Sequence, residues 1–114
     1  SGAGKSSLIS LLCGLDKSSS GEIYINDKAI TDVSTYDIRA NISYVNQSAG
    51  VFNDSIRVNI LYGKDMDEAK YYEAISDAKC DFIGDMQGGD NYIVGESGNK
   101  LSGGQRQRVA IARA

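Results

Sequence analysis

Apolar positions change their period several times along this chain, and each change predicts an element. Leu8, Ile9, Leu11, Leu12 and Leu15 recur at helical spacing behind a glycine-rich start, which predicts a helix opening near Lys5. Gly21-Glu22-Ile23-Tyr24-Ile25-Asn26-Asp27 alternates in the manner of a strand and ends in turn residues. Tyr36-Asp37-Ile38-Arg39 predicts a short helical turn, and Ile42-Ser43-Tyr44-Val45 a strand. Asp54 or Ser55 then caps a short helix that Gly63 ends, while Val51, Phe52, Ile56 and Ile60 make an apolar surface. A longer helix is predicted from Asp67 to Ala78, with Glu68 in its first turn and Tyr71, Tyr72 and Ile75 on its buried side. Residues 80–86 predict a shorter helix, and Gly88-Gly89-Asp90-Asn91 a turn. From Gln105 to Ala114 the chain holds strong helix formers and neither Gly nor Pro, with Val109, Ile111 and Ala112 facing a core and the arginines in solvent.

Two glycine-bearing stretches add chemistry to this pattern. The first is Ser1, Gly2, Ala3, Gly4, Lys5, Ser6 and Ser7. It supplies the middle and the end of the pattern G-x-x-x-x-G-K-[ST], whose first glycine would lie two positions before Ser1. Gly2 and Gly4 let the backbone turn its N–H groups inward around a phosphate. Lys5 adds a point charge toward the β- and γ-phosphates, and the Ser6 hydroxyl suits Mg²⁺. The helix behind them directs its positive end at the same anion. The bland alternative is a glycine-rich linker leading into an amphipathic helix.

The second stretch is Leu101, Ser102, Gly103, Gly104 and Gln105. Ser102 suits an N-cap, and the two glycines allow a close backbone approach to an oxyanion. An ordinary glycine turn before a helix is the alternative. The exact string, with the continuation Arg106-Gln107-Arg108 and Ala110-Ile111-Ala112-Arg113-Ala114, resembles the ATP-binding cassette (ABC) family, whose signature reads LSGGQ. The resemblance covers essentially the whole chain. It implies an α/β fold: a truncated P-loop NTPase core with an antiparallel β subdomain, running to residue 48 through the Q-loop, and an α-helical signature subdomain over residues 49–114. It also implies ATP and Mg²⁺ as ligands, and a second ABC ATPase domain packed head-to-tail. Ser102, Gly103 and Gly104 of one domain would then face the γ-phosphate held by Gly4, Lys5 and Ser6 of the other.

Further roles rest on the same resemblance. Gln47, at the end of the predicted strand, matches the Q-loop glutamine that reaches Mg²⁺ and the attacking water. On the residues alone it is a polar loop residue. The segment 51–60, with Val51, Phe52, Ile56 and Ile60, is similar to the part of ABC exporters that receives the transmembrane domain, although these residues could equally pack within the domain. Val94-Gly95-Glu96-Ser97-Gly98 is similar to the exporter X-loop, which gives Glu96 a contact with the membrane domain; otherwise it is a solvated carboxylate. The implied function is the ATP-binding part of an ABC exporter of the multidrug and lipid group, moving a lipid, drug or peptide. It would work on the cytoplasmic face of a plasma or inner membrane as part of an integral transporter. An importer ATPase subunit or a soluble, non-transport ABC ATPase is the alternative.

The acidic strand that carries the family's Mg²⁺-binding Asp and catalytic Glu would begin shortly after Ala114, and a further histidine would follow it. None of Asp27, Asp32, Asp54 and Glu96 lies where the family places its base. The isolated 114 residues are therefore expected to be at best molten and to hydrolyse no ATP. Composition narrows the picture a little more. With 12 basic and 15 acidic residues the net charge is −3, which gives no support for nucleic-acid binding through a broad basic surface. Cys13 and Cys80, far apart and without any histidine, make neither a zinc site nor a disulfide framework. No stretch approaches the eighteen or so apolar residues of a membrane span.

Overall fold

The computed structural model describes residues 2–48 and 50–114, which form two compact units, one ending at Tyr44 and the other spanning Val45–Ala114. In the first unit, α1 (Lys5–Leu12) opens behind Gly4 and closes at Cys13, which is buried. The helix is shorter than its apolar stripe suggests: Leu15 lies beyond its end and is exposed, as is Leu8. The alternating segment forms a hairpin of β1 (Tyr24–Ile25) and β2 (Lys28–Ala29), in register Tyr24 to Ala29 and Ile25 to Lys28. Asn26 and Asp27 turn the corner with φ of 47° and 62°, the doubly left-handed turn that matches strand twist and that Asn and Asp tolerate. α2 (Thr35–Asn41) is capped by Ser34, whose hydroxyl accepts the Asp37 amide. Its Ile38 is the buried anchor.

Ile42 is extended, but the predicted strand 42–45 belongs to no ladder among the described residues.

The second unit is helical. α3 (Ile56–Leu61) starts under the Ser55 hydroxyl, which accepts the Val58 amide, and ends at Tyr62 in the left-handed region. α4 (Glu68–Asp77) is capped by Asp67. Short 3₁₀ turns follow at Asp81–Asp85, Gly89–Asn91 and Glu96–Gly98, and α5 (Gly103–Arg113) closes the chain. One core joins them, with Ile56, Val94 and Val109 fully buried beside Ile60, Tyr71, Cys80 and Leu101. Burial of each such aliphatic side chain contributes about 1.5–3 kcal/mol.

Packing corrects three expectations. Tyr72 is exposed, so the inner face of α4 is held by buried Tyr71 with half-buried Ile75 packed beside the core. On α5 the buried pair is Val109 and Ala110, and Ile111 faces solvent. The arginines at 106 and 113 are half-buried and bonded to backbone carbonyls, because long stems lie along apolar surface while their tips find acceptors.

A part-buried polar knot ties this unit together. Asp90, from the glycine-rich turn, accepts from Arg57 Nε at 2.9 Å and from the Tyr71 hydroxyl at 2.7 Å, joining α3 and α4 to the turn. Burial pushes the Asp90 carboxyl up, but hydrogen bonds from Arg57 and Tyr71 outweigh it and hold the group below the ordinary 3.8. Its folded pKa is thus below its unfolded one, so the carboxylate's contribution is complete above about pH 4 and is lost as pH falls through the folded value. Asp90→Asn is expected to cost about 1 kcal/mol at pH 7, below the range of about 1.5–3 kcal/mol for a hydrogen bond to a charged group because Arg57 is 40% exposed. Urea unfolding of the two proteins at pH 7 and pH 3 checks this, since their difference should shrink at the lower pH.

Candidate functional site

The glycine-rich start lies in the first unit. Gly4 is the N-cap of α1 with φ 81° and ψ 12°, a conformation that a Cβ would strain, and no side chain caps the helix. The amide groups of a helix's first turn have no partner in its own ladder, so an uncapped first turn is a donor cluster for an anion. Gly2, Ala3, Lys5, Ser6 and Ser7 are exposed, and nothing stands within 4 Å of where a Cβ of Gly2 or Gly4 would be. The backbone over Gly2 and Gly4 is thus open, and Lys5 and Ser6 follow directly as the first two residues of α1. Ser1, expected in the same set, lies outside the described residues.

The second stretch lies in the other unit and is built differently. The Ser102 hydroxyl accepts the Gln105 amide at 3.2 Å, and the Gln105 side chain accepts the Ser102 amide at 2.8 Å. This reciprocal capping box fixes both side chains. A hydroxyl that accepts still has its own proton to give. Ser102 thus keeps an O–H free in principle for an oxyanion, next to the Gly103 and Gly104 amides at the mouth of α5. Space over Gly104 is open to 4 Å, and Leu101 is buried beneath the turn as its anchor.

An open cleft of about 560 Å³ in the same unit is lined by Gln47, Glu96, Ser97, Asn99, Gly103 and Arg106, among others. Gln47 and Glu96 are both exposed there. The structure therefore brings the expected Q-loop glutamine, the X-loop glutamate and the signature turn to one depression.

The segment 51–60 divides. Val51, Ile56 and Ile60 are buried in the unit's own core, so the apolar pattern that marked them is core pattern. Phe52 stays about half exposed and stacks on Tyr62, with centroids 5.3 Å apart and planes 1° from parallel. The Arg113 guanidinium sits over both rings.

Asn59 gave no signal in the sequence. It is fully buried, accepts from the Phe52 amide at 2.7 Å, and donates to the Phe52 and Ser55 carbonyls. Those bonds fix the turn that leads from the Q-loop segment into α3. Asparagine is a weak helix former, but one such residue in a short helical segment does not by itself mark a buried hydrogen-bonding role.

Residues 1–114 match the ABC transporter family. The ATP-dependent lipid A-core flippase of Saccharophagus degradans is 43% identical over 116 residues, covering 100% of this chain and 20% of the flippase. ABC transporter ATM1 of Plasmodium falciparum is 44% identical over 115 residues, covering 99% of this chain and 11% of that protein. Among solved structures, that of a bacterial Atm1-family ABC exporter with ATP bound matches with a TM-score of 0.86 at 43% identity, covering 99% of this chain and 20% of that one. The chain spans about a fifth or less of these relatives' length. Its helices and small antiparallel sheet are those of an ABC-type P-loop NTPase fold. The chain belongs to the ABC transporter family and carries part of that family's ATP-binding domain.

Proposed function

We propose that the chain is part of the ATP-hydrolysing domain of an ABC exporter, in which two such domains close head-to-tail over ATP and drive a transmembrane domain on the cytoplasmic face of a membrane. The capped signature turn carries this reading most: Ser102, Gly103 and Gly104 present donors to an anion, while Lys5 and its loop present donors from another unit. The first stretch holds the phosphates through the backbone of residues 1–7 and the Lys5 charge. Ser6 and Gln47 have the oxygen donors that Mg²⁺ takes, and the ion would neutralise charge on the β- and γ-phosphates. The signature of the partner domain then completes the shell. Closure is favoured to the extent that ATP contacts both half-sites only in the closed state.

Glu96, Gln47 and the exposed part of segment 51–60, with Phe52 at its head, are assigned to the transmembrane domain. The cargo class is a lipid, drug or peptide, in keeping with the flippase and exporter relatives. The importer and soluble readings are not favoured, because the relatives are exporters along the full length of this chain.

Direction of movement tests the proposal. The full-length protein is reconstituted in vesicles with ATP outside, using a fluorescent phospholipid and a cationic amphipathic dye as probes. ATP-dependent passage of either probe away from the ATP side is the expected result. Passage toward the ATP side counts against the reading.

A further inference from the structure

Between Val94 and the signature the backbone is held in an unusual shape. Gly95 has φ 78° and ψ 176°, Ser97 φ 51° and Gly98 φ 69°. Gly95 and Gly98 take these angles without a side-chain penalty, and Ser97 is the one side-chain-bearing residue held in the left-handed region, a local strain that surrounding contacts must hold. The loop is closed by the Lys100 amide donating to the Val94 carbonyl, and it is joined to the start of α3 by the Val94 amide donating to the Asp54 carbonyl.

One side chain spans the loop and the signature. Arg106, in the first turns of α5, donates from Nη1 to the Leu101 carbonyl at 2.7 Å and to the Gly98 carbonyl at 3.2 Å. Its stem fills the space over Gly98. A Cβ at Gly98 would lie 2.7 Å from Arg106 Cδ and 2.3 Å from Val51 Cγ2, so only glycine fits the approach. Its other terminal nitrogen lies beside Gly103, 3.8 Å from where a Cβ of that residue would be. The same cleft holds Glu96, two residues before Gly98.

From this geometry we infer that Arg106 is a positioning residue. It clamps the strained 94–101 loop to the signature turn, so that a displacement of Glu96 is passed to Gly103 and Gly104 as one rigid piece. Arg106 does not touch the nucleotide in this assignment; it sets where the signature amides stand. The assignment rests on the proposed role of the signature in ATP closure, and the test is built to separate the two.

Arg106→Met keeps the stem over Gly98 and removes the donors. Arg106→Lys keeps one ammonium able to reach both carbonyls. Both are made in the full-length protein. Amide exchange without nucleotide reads the clamp directly. Residues 98–104 should exchange about tenfold faster in the Met variant than in wild type, with α4 unchanged and the Lys variant close to wild type. ATP turnover reads the consequence: kcat should fall about tenfold in the Met variant and recover in the Lys variant, with affinity for ATP, measured in EDTA, within about twofold of wild type. Unchanged exchange over 98–104 overturns the inference, as does equal loosening of α4, which would make Arg106 a general support of the fold. If exchange responds as expected and the wild-type protein hydrolyses no ATP, the clamp stands and the functional reading of the signature fails.

Discussion

Full-length protein carrying Ser102→Arg is expected to bind ATP with near-normal affinity and to hydrolyse it at least about a hundredfold more slowly, the scale of losing pre-aimed donors from a reacting oxyanion. Two physical effects add. Arginine has no hydroxyl at the N-cap, so the reciprocal bonds between Ser102 and Gln105 are lost and the first turn of α5 loosens. Its long side chain also occupies the space in front of Gly103 and Gly104, where the γ-phosphate of the partner's ATP must arrive. In the proposed assignment initial binding uses the glycine-rich loop of the other unit, so affinity in the open state is expected to be spared. Steady-state turnover with a parallel equilibrium measurement of ATP affinity in EDTA separates the two quantities. A variant that turns over normally would remove the signature from the mechanism.

Lys5→Ala should show the opposite division. Here the open-state affinity itself falls, by about ten- to a hundredfold, since one charge-assisted hydrogen bond to phosphate contributes about 1.5–3 kcal/mol. Turnover is lost with it, because the same ammonium faces charge that moves onto the leaving β-phosphate. Its immediate neighbours in the stretch supply no second cation: Gly4 is an N-cap without side-chain help, and Ser6 and Ser7 carry no charge. Titration of a fluorescent ATP analogue against the variant measures the loss. Thermal unfolding should be unchanged, because Lys5 is exposed.

What was legible in the sequence was chiefly what is local. Ser102 was readable as a cap, and Ser55 as one of two candidates with Asp54, because a cap is decided within one turn of helix; Asp67, read as the first helical residue, is the cap itself. The hairpin at Asn26 and Asp27 is local for the same reason. Both glycine-bearing stretches were legible because the placement of a few backbone amides needs particular residues at fixed spacing. Elements that depend on a distant partner were not. The strand expected at 42–45 lacks a ladder among the described residues. Asp90 was read as turn chemistry, and its bond to Arg57 spans 33 residues that no periodicity connects. Arg106 was placed in solvent because a helix wheel shows which face is apolar and not which carbonyl stands at the end of a long stem. The apolar residues Val51, Ile56 and Ile60 illustrate the same limit: core and contact surface have one composition, and only burial tells them apart.

The central claim is that one ATP is closed between the loop of one domain and the signature of another. Complementation measures it directly. Full-length Lys5→Ala and Ser102→Arg chains, each inactive alone, are co-expressed and co-purified as mixed dimers. Head-to-tail closure gives such a dimer one site with both halves intact and one with both halves defective, so ATP turnover should reappear, carried by the intact site. If each site were completed within a single chain, every site in the mixed dimer would carry a defect, and turnover would stay at the level of the separate variants.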